Sequence, residues 1–129
     1  MAIIGSHKRM IVYKKTDFKC ACCGSTNNLT CDHFLPKWIR IVDNDIRNLI
    51  PMCYNCNHDK ADRLIYLHSL KYLPDCYVRD LLRYYADNRK FIRYYVEHFS
   101  YRADNFDVED AIRVLNSYDA TLLLRGVQL

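Results

Sequence analysis

The sequence predicts a small α+β protein in which a zinc-braced core is followed by a helical extension. Two observations carry that reading. Cys20-x-x-Cys23 and Cys53-x-x-Cys56 are two thiolate pairs of the kind that close a tetrahedral zinc site. From Arg63 onward, apolar residues recur at helical spacing rather than in alternation. The 129 residues amount to one ordinary domain, with the core expected over 1–62 and the extension over 63–129, packed on or beside it.

The first stretch leaves two alternatives open. Met10, Tyr13 and Phe18 could share a helical face, and Ile11-Val12-Tyr13 could equally be a strand. The first thiolate pair follows, with Gly24 directly behind Cys23. Cys22 is a rival ligand, but Cys20 and Cys23 have the separation that lets two sulfurs converge from a tight turn. A pair of disulfides is the weaker reading, because seven cysteines is an odd number. Cys31 and Cys76 read as small buried apolar side chains. No apolar run is long enough to span a membrane, and Ala2-Ile3-Ile4-Gly5 is too short for a secretory segment. Free thiolates then belong to a reducing compartment, most simply a cytoplasm.

Ser25 to Asn28 is a turn cluster, and Leu29-Thr30-Cys31 reads as a strand that delivers Asp32 and His33 before Pro36. Neighbours on a regular strand point to opposite faces, so Asp32 and His33 can serve one site only if the strand ends or bulges there. Trp38 and Ile39 are expected to cover the apolar side of the next loop. Asp43, Asn44 and Asp45 make a polar turn, and Ile46, Leu49 and Ile50 return to the core. A helix starting between Cys53 and Cys56 and running through Lys60 puts Asn57 and Lys60 on one face.

In the extension, residues 63–70 read as helix up to Pro74. Val78, Leu81, Leu82, Tyr85, Ile92, Val96 and Phe99 follow at helical spacing, with a break expected over 87–90. Asn105 to Asp107 is a cap region for a last amphipathic helix that ends near Gly126. Arg-Tyr-Tyr occurs at 83–85 and again at 93–95, and helix packing is the favoured reading of both. Charge is divided unevenly. Residues 1–60 carry nine Lys and Arg against five Asp and Glu, whereas residues 61–129 carry ten of each. The positive field therefore sits on the metal module, as a partner with a polyanionic backbone would require.

The order C-x-x-C-G, then D-H-x-x-P, then N-L-x-P-x-C, then C-N-x-x-K resembles the HNH endonuclease family, in particular members whose ββα-metal core is braced by paired zinc knuckles. The likeness covers about the first half of the chain. It implies a helix before the first knuckle and a structural zinc on Cys20, Cys23, Cys53 and Cys56. It further implies a catalytic Mg2+ or Mn2+ ion on Asp32 and Asn57, with His33 as general base and Asn48 orienting its ring. Lys60, Lys37 and Arg40 would contact nucleic acid, and the substrate would be DNA, nicked or cut with little sequence preference. Small proteins of this kind are often encoded by phages or mobile elements, which would make the compartment a host cytoplasm. A further protein partner would engage the helical extension. The alternative function is a zinc-stapled module that binds nucleic acid or protein without cutting.

Overall fold

The computed structural model describes residues 4–39, 44–102 and 106–129. Arg40, Asp43 and Asn105 lie outside the described residues. Among the described residues the chain forms five α-helices and one two-stranded antiparallel sheet, a small α+β fold. The first stretch is a helix, α1 (Ser6–Lys14), with Val12 buried. The strands are β1 (Leu29–His33) and β2 (Leu49–Cys53), paired so that Asp32 lies opposite Ile50 and His33 opposite Leu49. The helix α2 (Tyr54–Lys60) follows β2 without a loop.

Two buried polar groups hold the hairpin to its surroundings. Lys15, at the end of α1, donates to the carbonyls of Ile46 and Leu49 at 2.6 and 2.8 Å. Asn48, fully buried, ties itself to the chain that leaves β1. Its Oδ1 accepts from the Leu35 N–H at 2.9 Å, its Nδ2 donates to the Leu35 carbonyl at 3.2 Å, and its own carbonyl accepts from the Phe34 N–H at 2.9 Å.

The helix expected over 63–70 does not form. Ala61 adopts φ 46° and ψ −124°, which turns the chain sharply out of α2. The segment then runs extended to a single 3-10 turn at Leu67–Ser69, burying Leu64 and Leu70 on the way. The Tyr118 hydroxyl donates to the Ile65 carbonyl, and just past the segment the Tyr72 N–H donates to the Ala21 carbonyl at 2.9 Å.

The remaining helices are α3 (Asp75–Asp87), α4 (Arg89–Phe99) and α5 (Val108–Leu124), with the expected break between α3 and α4 at Asn88. The Asp107 carboxylate caps α5 by accepting from the Asp110 N–H at 3.2 Å. Tyr84, Tyr85 and Tyr95 are core residues, in keeping with the packing reading of the two Arg-Tyr-Tyr runs, while Tyr94 is exposed. Cys76 is exposed rather than buried, because α3 turns Leu81, Leu82, Tyr84 and Tyr85 inward instead.

One apolar core crosses residue 62. Phe34 packs on Tyr118 of α5 with ring centroids 5.5 Å apart, and Trp38 packs on Tyr95 of α4 at 5.8 Å. Full burial of a side chain such as Phe34 or Ile39 contributes about 1.5–3 kcal/mol. The same cluster contains Cys20, Ala21 and Cys53 of the knuckles and Leu70 and Leu73 of the extension. No helix among the described residues is long and apolar enough to cross a membrane.

Candidate metal centre and adjoining cavity

Each Cys-x-x-Cys pair sits on a tight turn, one after α1 and one at the junction of β2 with α2. The sulfurs of Cys20, Cys23, Cys53 and Cys56 all lie within 4.8 Å of one another. A tetrahedron of sulfurs about 2.3 Å from a central zinc has edges of about 3.8 Å, and Cys23 and Cys53 Sγ are 3.7 Å apart. This group could hold a structural metal such as zinc. Burial works against the Cys20 thiolate, yet N–H donors from Cys53, Cys23 and Cys22 outweigh it and bring the thiol down to about 7. Cys22 stands outside the group, and burial pushes its thiol up to about 12.

Cys53 has a second duty. Its Sγ accepts from the Cys56 N–H at 3.4 Å and so caps the first turn of α2. One sulfur of the group that could hold a metal therefore also sets where α2 begins. At the first knuckle, Gly24 (φ 78°) lies under the Tyr72 ring, and a Cβ there would meet that ring at 2.8 Å.

β1, α2 and the segments that follow each of them line an open cavity of about 360 Å3. It is lined by Cys31, Asp32, His33, Pro36, Lys37, Asn57, Lys60, Ala61 and Asp62. Asp32 and His33 thus reach one cavity although they are neighbours on a strand, because β1 ends at His33. Lys37 is exposed at its edge.

The His33 ring is held by Asn44, not by Asn48. Its Nε2 lies 3.0 Å from Asn44 Oδ1. An amide oxygen only accepts, so Nε2 carries the hydrogen and Nδ1 keeps its lone pair. The Asn44 carbonyl is in turn held by Lys8 Nζ at 2.7 Å. The Asn48 amide instead bonds Leu35 through both its oxygen and its nitrogen. Burial pushes the His33 imidazole below its usual pKa and so favours the neutral ring, while the hydrogen bond to Asn44 pulls the other way.

Lys60 is also placed differently from the expected phosphate contact. It is 3% exposed, donates to the His33 carbonyl at 3.0 Å and lies 3.5 Å from Asp32 Oδ2. Its ammonium is used inside the protein, and burial pushes its pKa down against the pull of Asp32. Asp32 Oδ2 is itself buried and makes no hydrogen bond. Asn57 donates its Nδ2 to Thr30 Oγ1 at 3.0 Å, so its carbonyl oxygen is left as the open donor atom. A carboxylate at the cavity wall, whose Oδ2 faces Lys60, and an amide oxygen are hard donors of the kind that a magnesium-class cation takes in small number. These residues fit such an ion.

Sequence reasoning missed Asn44, Asp62 and Thr30. Asn44 was visible only as part of a polar turn. Asp62 follows the turn at Ala61, where Trp38 Nε1 donates to its carbonyl at 3.2 Å. No family model, curated protein or solved structure matches this chain.

Proposed function

We propose that this protein is a metal-dependent DNA endonuclease of the HNH type. The observation that carries the reading is the gathering of Asp32, His33 and Asn57 around one cavity in a chain that also gathers four sulfurs. An antiparallel strand pair leading directly into a helix is also the arrangement expected of a ββα-metal core.

Phosphodiester hydrolysis needs an activated water, neutralisation of charge growing on phosphorus, and relief of the departing oxygen. A hard divalent ion bound by Asp32 and Asn57 would supply the last two. His33 acts on the water. Its Nδ1 is the free ring position, and protonation there leaves the Nε2 hydrogen bond to Asn44 intact. Asn44 therefore fixes the base in the useful tautomer. Lys60 acts from inside, holding the end of β1 against α2 and placing positive charge beside Asp32. Among the described residues that line the cavity, Lys37, exposed at the rim, is a cation available to the phosphate backbone.

The test is incubation of the zinc-loaded protein with supercoiled plasmid, with and without Mg2+ or Mn2+. Conversion to nicked or linear DNA is expected only with added metal. His33→Ala and Asn57→Ala should each lower the rate by about 100-fold or more. His58→Ala should cost little, because His58 is exposed and stacked on Tyr54 away from the cavity-lining set. Absence of conversion by folded, zinc-loaded wild-type protein would overturn the proposal.

A further inference from the structure

A side-chain amide can present either oxygen or nitrogen to a neighbour, and only the oxygen binds a cation. At Asn57 the choice is made by Thr30. The Thr30 hydroxyl donates its single hydrogen to the Met52 carbonyl at 2.7 Å. With that hydrogen committed across the sheet, Oγ1 can only accept from any further partner. The atom that approaches it is Asn57 Nδ2, at 3.0 Å. The chain Met52 carbonyl, Thr30 hydroxyl, Asn57 amide therefore runs in one direction, and reversal of the amide would set two acceptors against each other. No hydrogen bond is made to Asn57 Oδ1 among the described residues.

We infer that Thr30 is a positioning residue that orients Asn57 so that its amide oxygen serves as a metal ligand in the cavity. The inference rests on the metal-dependent reading given above. Thr30 is not among the residues that line the cavity, and it stands two residues before Asp32 on β1. One strand thus carries a carboxylate ligand and the device that aims the other ligand from α2. Residues that orient metal ligands are typically worth 10- to 100-fold in metal affinity.

Manganese binding to the zinc-loaded full chain, read by the electron paramagnetic resonance of free Mn2+, gives a measurement independent of cleavage. Thr30→Val keeps the shape and the methyl but removes both hydrogen bonds, and it should weaken Mn2+ binding by about 10-fold or more. Thr30→Ser restores the hydroxyl and should stay within about 2-fold of wild type. In an Asn57→Ala background, Thr30→Val should add less than about 2-fold, because the residue through which it acts is gone. Zinc content and thermal midpoint serve as fold controls.

Wild-type Mn2+ affinity in folded Thr30→Val would overturn the inference alone, provided Asn57→Ala still weakens binding. So would a Thr30→Val effect that persists undiminished without Asn57. Failure of the wild-type protein to bind Mn2+ at all would overturn the metal-dependent reading as well. If Thr30→Val does not fold, the wild-type Asn57 side-chain amide protons decide the matter by nuclear magnetic resonance. Slowed exchange of one of them supports the bond to Thr30, and free solvent exchange of both overturns it.

Discussion

Lys60 donates to the carbonyl oxygen of His33 across 3.0 Å, joining the last residue of α2 to the last residue of β1. The same ammonium lies 3.5 Å from Asp32 Oδ2. Removing one partner of a buried charge pair costs about 3–5 kcal/mol, since the other is left uncompensated. Lys60→Ala should therefore lower the stability of the fold, measured by urea unfolding. The salt dependence of DNA binding should not change, because no phosphate contact is lost.

Zinc content separates Cys22 from Cys23. Elemental analysis of protein purified without added metal should find one zinc per chain, retained in Cys22→Ser and lost in Cys23→Ser. Chelation should unfold the first turn of α2 along with the knuckles, because Cys53 both joins the sulfur group and caps that helix. Loss of helical circular dichroism on chelation is the measurement.

Asn44 and Asn48 should separate function from stability. Asn44→Ala frees the His33 ring and should lower cleavage on the order of tenfold, with little change in thermal midpoint. Asn48→Ala removes two side-chain hydrogen bonds and leaves both polar groups of Leu35 unpaired, at a cost of about 2–4 kcal/mol. Chemical denaturation of the two variants side by side should show the contrast.

Ala61→Gly should stabilise the protein. The φ 46°, ψ −124° conformation is strained for a residue with a Cβ, and glycine adopts it freely. Relief of that strain, less the greater freedom of glycine in the unfolded chain, should yield about 1 kcal/mol. A rise in the unfolding midpoint at unchanged slope would be its signature.

Asp119 joins three helices. It accepts from Tyr85 Oη at 2.8 Å, from Arg89 Nε and a terminal nitrogen at 2.8 and 2.9 Å, and from Arg93 at 3.0 Å. Burial alone would raise its carboxyl pKa, but Arg89, Tyr85 and Arg93 outweigh burial and hold it below the usual carboxylate range. The native state thus binds this proton less readily than the unfolded chain does. Its contribution is complete above the unfolded value of about 4 and is lost as pH falls through the lower folded value. Wild type should exceed Asp119→Asn in stability near neutrality, and the gap should narrow in acid unfolding below pH of about 4.

Local pattern carried much of the fold. The thiolate spacing located the sulfur group, the break between α3 and α4 followed from Asp87-Asn88-Arg89-Lys90, and Asp107 marked the start of α5. Residues 63–70 misled because their apolar spacing suits a helix, while the conformation of Ala61 and donors from Tyr118 made an extended path better satisfied. Asn44, read only as part of a polar turn, meets the imidazole that Asn48 was expected to meet, because spacing does not say which amide reaches the ring. Lys60 was read as an outward charge. Its burial depends on the His33 carbonyl and Asp32, partners set by the pairing of β1 with β2 rather than by helix periodicity.

The packing of Phe34 against Tyr118 also orders events in time. A ribosome releases the chain from its first residue, so all four knuckle cysteines emerge long before α5 is made. The sulfur group needs only the segment from Cys20 to Cys56, whereas Phe34, just after β1, waits for a ring from α5. Phe34 therefore meets the Tyr118 ring only after α5 has been made.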